Sequence, residues 1–436
     1  MLANKLPAAL LIICLVLVCL LAGSHARTSG NSLSNVEDWP GWRGPTRQGV
    51  SSETAIPTKW SETENVAWKT AIPGLGWSSP IVYGDGVFVT SATDGGASCR
   101  VIRVDRRTGK IKWDKEVFRQ IPGNRQEHNS YATPTPVTDG RRVYAAFYDG
   151  GIAAVSFDGR IAWVNREHKY YSVHGSGASP ILHDDLLIFP YDTTSDGEDK
   201  AVGHTKPWDQ SFILALDKNT GKLRWKAKRG LSRVAHVTPQ VMNVEGQPQL
   251  VSGAGDVVQA FDLKTGGLLW QARSVGEGVV PSVVIGDGMI FTASGFGDPA
   301  IRAVRPGGRG DVTQTNIAWE IKKAVPMVPS FVYVNGLLFT ISEGGVAQCI
   351  KATTGETIWQ QRIGGKHYAS PIYADGKIYF LSEEGESTII KAGPQFEIVA
   401  SNRLNESCQA SYAVSRGQLF IRTRENLYCI GAAAQR

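Results

Sequence analysis

Along this chain an aspartate, a Thr-Gly turn and a short β-run recur, each leading into a tryptophan. The clearest copies run from Asp105 to Trp113, from Asp217 to Trp225 and from Asp262 to Trp270, turning at Gly109, Gly221 and Gly266. Weaker copies end at Trp163, Trp319 and Trp359, and Trp68 closes a further run with no turn before it. The aspartate can accept backbone N–H bonds across the turn, and glycine takes the left-handed conformation that other residues resist. Large indoles at a fixed place in each copy suit wedges between neighbouring units, so they read as core and not as a ligand-stacking set.

The rest of the repeat is also legible. Each unit opens on a proline step and a short apolar strand, as at Ser79-Pro80, Thr133-Pro134, Ser179-Pro180, Thr238-Pro239, Pro281, Pro329 and Ser370-Pro371. A tight turn such as Asp85-Gly86, Asn335-Gly336 or Asp375-Gly376 follows, then a β-branched and aromatic strand. With the two strands flanking the Thr-Gly turn, this makes a four-stranded antiparallel meander with a period of roughly 40 to 60 residues. An eighth copy supplies three strands, near Ala410–Val414, Gln418–Ile421 and Asn426–Ile430, while Asn65–Lys69 has the outer-strand pattern but no unit of its own. The expected fold is all-β: an eight-bladed β-propeller of four-stranded antiparallel blades. Its ring is closed by pairing the N- and C-terminal strands, which leaves no open edge.

Length alone, 436 residues, would suggest several domains, but the repeats fill nearly all of it. The chain divides into residues 1–26, a leader; 27–64, an N-terminal segment; and 65–436, the propeller. Lys5, an apolar run from Leu6 to Ala22 and Ser24-His25-Ala26 read as a signal peptide cleaved after Ala26, which implies a periplasmic or secreted protein. An uncleaved anchor is the alternative. The formal charge of +6 falls to +5 when Lys5, the one charged residue before Arg27, leaves with the leader. Both signs are interspersed, so the chain is expected to bind no nucleic acid, to have no membrane span after cleavage and to be a monomer. Cys99, Cys349, Cys408 and Cys429 remain, with no Cys-x-x-Cys pair and hence no zinc or haem site of that type. Cys408 and Cys429 share a unit and could pair; Cys99 and Cys349 read as buried thiols. No metal-ligating set is legible.

Loops on a rigid scaffold carry function. If the strand opening each unit is innermost, the residues just before it ring one mouth of a central channel. They are Trp77; His128, Asn129 and Tyr131; His174; Arg233 and His236; Lys366, His367 and Tyr368, with Glu277, Cys408 and Gln409 beside them. Imidazole, cationic and aromatic groups gathered there suit an anionic or sugar-like ligand and could serve acid–base chemistry. The alternative is that they satisfy one another and the loop backbone. A long insertion in the third unit, from Tyr191 through Asp192, Asp196, Glu198 and Asp199 to His204 and Trp208, reads as a solvated acidic loop, since its spacing does not match an EF-hand. Arg305 to Asp311 reads as a wide turn in place of the fifth Thr-Gly hairpin.

The Asp-x-x-Thr-Gly-Lys-x-x-Trp repeat resembles the docking motif of pyrroloquinoline quinone (PQQ)-type propellers, a superfamily that includes quinoprotein alcohol dehydrogenases and the BamB assembly scaffold. Trp39-Pro-Gly-Trp42-Arg-Gly-Pro45, Gly286 to Gly295 and Ala369 to Gly376 are similar to exported PQQ-like repeat proteins of planctomycete-type bacteria. In the dehydrogenases the quinone lies beneath a disulfide of adjacent cysteines and beside Ca²⁺; here no two cysteines adjoin and no matching Glu, Asn and Asp set is present, so PQQ is not supported as a cofactor. The fold, the leader and the lack of a legible catalytic set point to a binding or scaffold protein of the cell envelope, with envelope proteins or a small anionic or sugar-like ligand as partner at the channel mouth. The alternatives are a PQQ-dependent dehydrogenase and a lyase or hydrolase built on the histidines.

Overall fold

The structure, a computed structural model, describes residues 38–432; the leader lies outside them. The first blade contains Ile81–Tyr83, Gly86–Thr93, Ser98–Asp105 and Ile111–Arg119, hydrogen-bonded in chain order. Six more antiparallel meanders of the same order follow, and the eighth blade takes its first three strands from Ala413–Ser415, Gln418–Arg422 and Asn426–Ile430. Its fourth strand is Val66–Ala71, antiparallel to Asn426–Ile430 with Trp68 opposite Cys429. The chain is an eight-bladed β-propeller closed by pairing its two ends. Among the described residues no helix is long and apolar enough to cross a membrane.

Burial explains the sequence pattern. Middle strands are covered on both faces by neighbouring blades and read as continuous apolar runs, whereas outer strands such as Leu223–Lys228 alternate, with Trp225 and Ala227 buried between exposed neighbours. The first hairpin turns one residue earlier than the sequence suggests. Tyr83 pairs with Gly86, so Gly84 and Asp85 form the turn.

The wedge works through one repeated bond. Trp225 donates its Nε1–H to the Leu263 carbonyl of the next blade at 2.9 Å. Gly266 of that blade has φ +72 and lies so close beneath the indole that a Cβ there would stand 2.7 Å from it. Oδ1 of Asp262 holds the turn, accepting from the Thr265 N–H and hydroxyl at 2.8 Å each. Trp68, Trp113, Trp163, Trp319 and Trp359 repeat the bond to the next blade's carbonyls at 2.8–3.1 Å. Trp270 departs from it, because the fifth blade has no Thr-Gly turn. Its indole donates to Gln249 Oε1 at 3.0 Å, and the expected wide turn brings Gly310–Asp311 in as a short parallel strand beside Trp270 and Gln271.

Two expectations need correction. Asp192 is not solvated: it is buried and pairs two-pronged with Arg229 at 2.8 Å for each bond, while Asp196, Glu198 and Asp199 are exposed. Cys408 and Cys429 do not pair; all four described cysteines are free and buried. They point into apolar packing, and burial raises each thiol's pKa.

The segment before the first blade closes one end of the channel. Trp39 exchanges both backbone bonds with Val82 at 2.8 Å, and Thr138 N–H donates to the Pro40 carbonyl at 2.8 Å. Arg47 donates to the Leu182 carbonyl at 3.3 Å and to Gln240 Oε1 at 2.8 Å. The Gln48 amide makes both bonds to the Ile285 backbone, at 2.8 and 3.1 Å. Arg43 donates to the Phe331 carbonyl, Gly49 accepts from the Tyr373 N–H at 2.7 Å, and Glu53 accepts from the Gly417 N–H at 2.7 Å. The innermost strand of every blade, the residue just before it or the turn that follows it, is thereby bound to residues 39–53.

Candidate functional site

Just upstream of those contacts, the inner strands build a ring. The backbone N–H groups of Ser79, Thr135, Ser179, Thr238, Ser282, Ser330, Ser370 and Ser411 each donate to the hydroxyl of the equivalent residue one blade on, at 2.9–3.0 Å, and the circle is complete. In the second blade the member is Thr135, two residues beyond the Thr133-Pro134 step that marks the unit in the sequence. All eight side chains line one cavity of about 590 Å³. Their hydroxyl protons have no acceptor among the described residues, so the ring presents eight O–H donors to whatever fills the cavity. Trp42 lines the cavity from the closing segment, which makes the channel a cup with one mouth.

The loops leading into the inner strands form that mouth. Trp77, His128, Asn129, His174, His236 and Tyr368 line the cavity as the sequence suggests, together with Glu277 and Gln409. His128 stacks on Tyr368, with ring centroids 4.9 Å apart. The Asn129 amide donates to the His174 carbonyl at 2.8 Å and so fixes two mouth loops together.

Four other predicted residues and Cys408 fall outside the lining. Tyr131 turns away, donates to the Gly123 carbonyl at 2.8 Å and packs on Tyr148. Arg233 is clamped on Asp256, with Nη2 at 2.5 Å from Oδ1. Lys366 is exposed. His367 is buried with its ring nitrogens 3.1 and 2.9 Å from the Leu381 and Gly364 carbonyls, a loop staple. Cys408 is packed in the eighth blade core. Sequence position selects the loop, but adjacent residues on it face opposite ways.

Trp42, His204, Phe296 and Glu343 join the lining without having been expected there. His204 comes from the third-blade insertion, whose acidic composition drew attention to the wrong side chains. Trp42 lay in a motif with no strand pattern to place it. Glu343 accepts from the Met327 N–H at 2.7 Å and from the Val328 N–H, and burial raises its pKa.

The electrostatic character of the cup follows. Among the described residues no lysine or arginine lines it. Burial, with His204 adding to it, lowers the His174 pKa to about 4, and burial with His174 lowers that of His236 to about 3. Both imidazoles are neutral at physiological pH.

A family model described as outer membrane protein assembly factor BamB matches residues 61–254 and 301–393. The chain belongs to this family. Within it, BamB of Yersinia pestis is 20% identical over 332 residues, covering 71% of this chain and 76% of that protein. The crystal structure of BamB from Moraxella catarrhalis superposes with a TM-score of 0.60 at 16% identity, over 85% of this chain and 98% of that one, a likeness of fold. Tetrathionate hydrolase of Acidithiobacillus ferrooxidans is 26% identical over 198 residues, 39% of this chain and 37% of its own length.

The fold superfamily that includes BamB also raises the question of PQQ. That quinone carries three carboxylates and needs cations to hold them. Among the described residues the cup lining has no lysine or arginine, contains Glu277 and Glu343, and has no cysteine pair to cover a ring. The residues present do not fit the cofactor.

Proposed function

We propose that this BamB-family propeller is a binding module of the cell envelope, exported through the leader at residues 1–26. Its cup takes a small uncharged, polyhydroxylated ligand of the sugar type. The observation that carries this reading is the circle of eight hydroxyls above the Trp42 floor, in a lining without lysine or arginine. Hydroxyl donors bond sugar oxygens, while Trp42, Trp77 and the His128–Tyr368 pair offer flat faces to a sugar ring. The anionic ligand suggested by sequence is set aside, because Arg233 is paired, Lys366 is outside and two of the histidines are neutral.

Calorimetry of neutral against acidic oligosaccharides on the parent and on Trp77→Ala tests this. Binding of neutral sugars that weakens in the variant is expected; preference for acidic ones, or no binding of either, would reject it. Exposed Ile121, Leu231, Val275 and Phe296 on mouth-side loops favour a second element, docking of an envelope protein over the rim. Replacing Leu231 and Val275 by lysine should abolish crosslinks to such a partner, and unchanged crosslinks would rule out this face.

A further inference from the structure

We propose that His174, His204, His236 and Glu277 form a binding site for one divalent transition-metal ion, of the zinc or cobalt type, at the mouth of the cup. The inference goes beyond the sugar-binding reading and does not depend on it. The four side chains reach one quadrant of the mouth from different loops: His174 between the second and third blades, His204 from the third-blade insertion, His236 between the third and fourth blades, and Glu277 between the fourth and fifth. All four line the cavity.

The rings of His174 and His204 have centroids 4.8 Å apart, and those of His174 and His236 are 5.9 Å apart. Nε2 of His204 stands 3.9 Å from Oε2 of Glu277. Two ligand atoms on one tetrahedral zinc lie roughly 3.3 Å apart, given bonds of about 2.0 to 2.2 Å. The His204–Glu277 pair is therefore about half an ångström wider than coordination requires. As placed, no three His, Cys, Asp or Glu side chains among the described residues form a group that could hold a metal ion, so the proposed site requires these four side chains to rotate towards one another.

Unmet bonding capacity marks the spot. His236 is 6% exposed and neither ring nitrogen has a hydrogen-bond partner; Glu277 Oε2 is likewise buried without one. Such groups carry a cost that a ligand removes. The backbones are held in place: Glu277 and Phe296 exchange both N–H bonds at 3.0 and 2.9 Å, and His236 N–H donates to the Val279 carbonyl at 2.6 Å. The Arg233 cation, which feels the Glu277 charge, is occupied by Asp256. Three imidazoles against one carboxylate select zinc, cobalt, nickel or copper over calcium and magnesium, which prefer oxygen.

The full chain, stripped with EDTA, is titrated with Zn²⁺ against a chromophoric chelator and separately with Co²⁺ in the visible range. One ion per chain is expected, with four-coordinate cobalt absorption and no competition from Ca²⁺. His204→Ala and His174→Ala should each weaken binding by about tenfold or more. His128→Ala, elsewhere in the cup, and His168→Ala, outside it, should leave binding unchanged. Melting temperatures certify that each variant is folded. Absence of stoichiometric binding, equal affinity in His204→Ala and parent, or an equal loss in His128→Ala would overturn the site. Sugar calorimetry is read independently, so either result can fail alone.

Discussion

The backbone N–H of Ser411 donates to the hydroxyl of Ser79 at 3.0 Å, across 332 residues of chain. The same bond joins every other pair of neighbouring blades, so the seam between the last blade and the first is indistinguishable at the hub from the other junctions. At the rim the seam is sewn a second time, by the strand that carries Trp68.

Each hub hydroxyl satisfies a buried N–H that has no other partner among the described residues. Replacing Ser282 by Ala removes the acceptor of the Thr238 N–H and should cost about 1 to 3 kcal/mol in urea titrations. Ser282→Thr should be nearly neutral, since threonine holds the equivalent place at Thr135 and Thr238. Equal losses in both variants would mean that the hydroxyl is not what matters there.

The wedges should be costlier. Trp225→Ala removes a buried indole and its bond to Leu263, a loss of about 3 to 5 kcal/mol. Trp77 is as well covered as Trp225, at 8% exposure each, but its indole borders the cup, so truncation there widens an existing space and should be milder. Comparable denaturation midpoints for the two variants would contradict this division of roles.

The rim closure predicts the result of truncation. A chain lacking everything before Pro73 loses the Val66–Ala71 strand and leaves Asn426–Ile430 as an unpaired apolar edge. It should self-associate in light scattering and melt earlier. A monomer with the parent's melting temperature would be incompatible with the closure described.

Acid should loosen the same seam. Burial raises the Glu406 pKa, but bonds from Asn426, Lys69, Thr423 and Tyr428 outweigh it and bring the value from 4.5 to about 2. Because the folded value lies below the unfolded one, the carboxylate stabilises the protein at neutral pH, and this contribution is lost as pH falls from 4.5 towards about 2. In that window the parent should lose stability more steeply than Glu406→Gln. Parallel pH profiles would remove Glu406 from the account.

What could be read from sequence was whatever the chain states locally and repeats. The Asp262–Thr265–Gly266 turn and the Trp225 wedge are each set by a few neighbouring residues, so the blade count and the ring closure followed from the pattern. The mouth was half legible. The rule that picked out His128, His174 and His236 also picked Arg233 and Lys366, because position in a loop does not encode which way a side chain turns or that Asp256 waits beside Arg233. His204 and Trp42 were missed for a different reason: both reach the cup from segments outside the repeat, where no periodic signal says what they will meet.

The seal across the channel has a consequence for how the molecule is made. Gln48 must meet Ile285, 237 residues on, and Glu53 must meet Gly417, 364 residues on. Contacts so distant form late, so in refolding experiments the burial of Trp42 should lag behind the appearance of strands. The stretch that leaves the ribosome early is thus the last piece to be seated. A chain whose blades have formed before this segment docks has walls but no base, and offers nothing for a ligand to rest on.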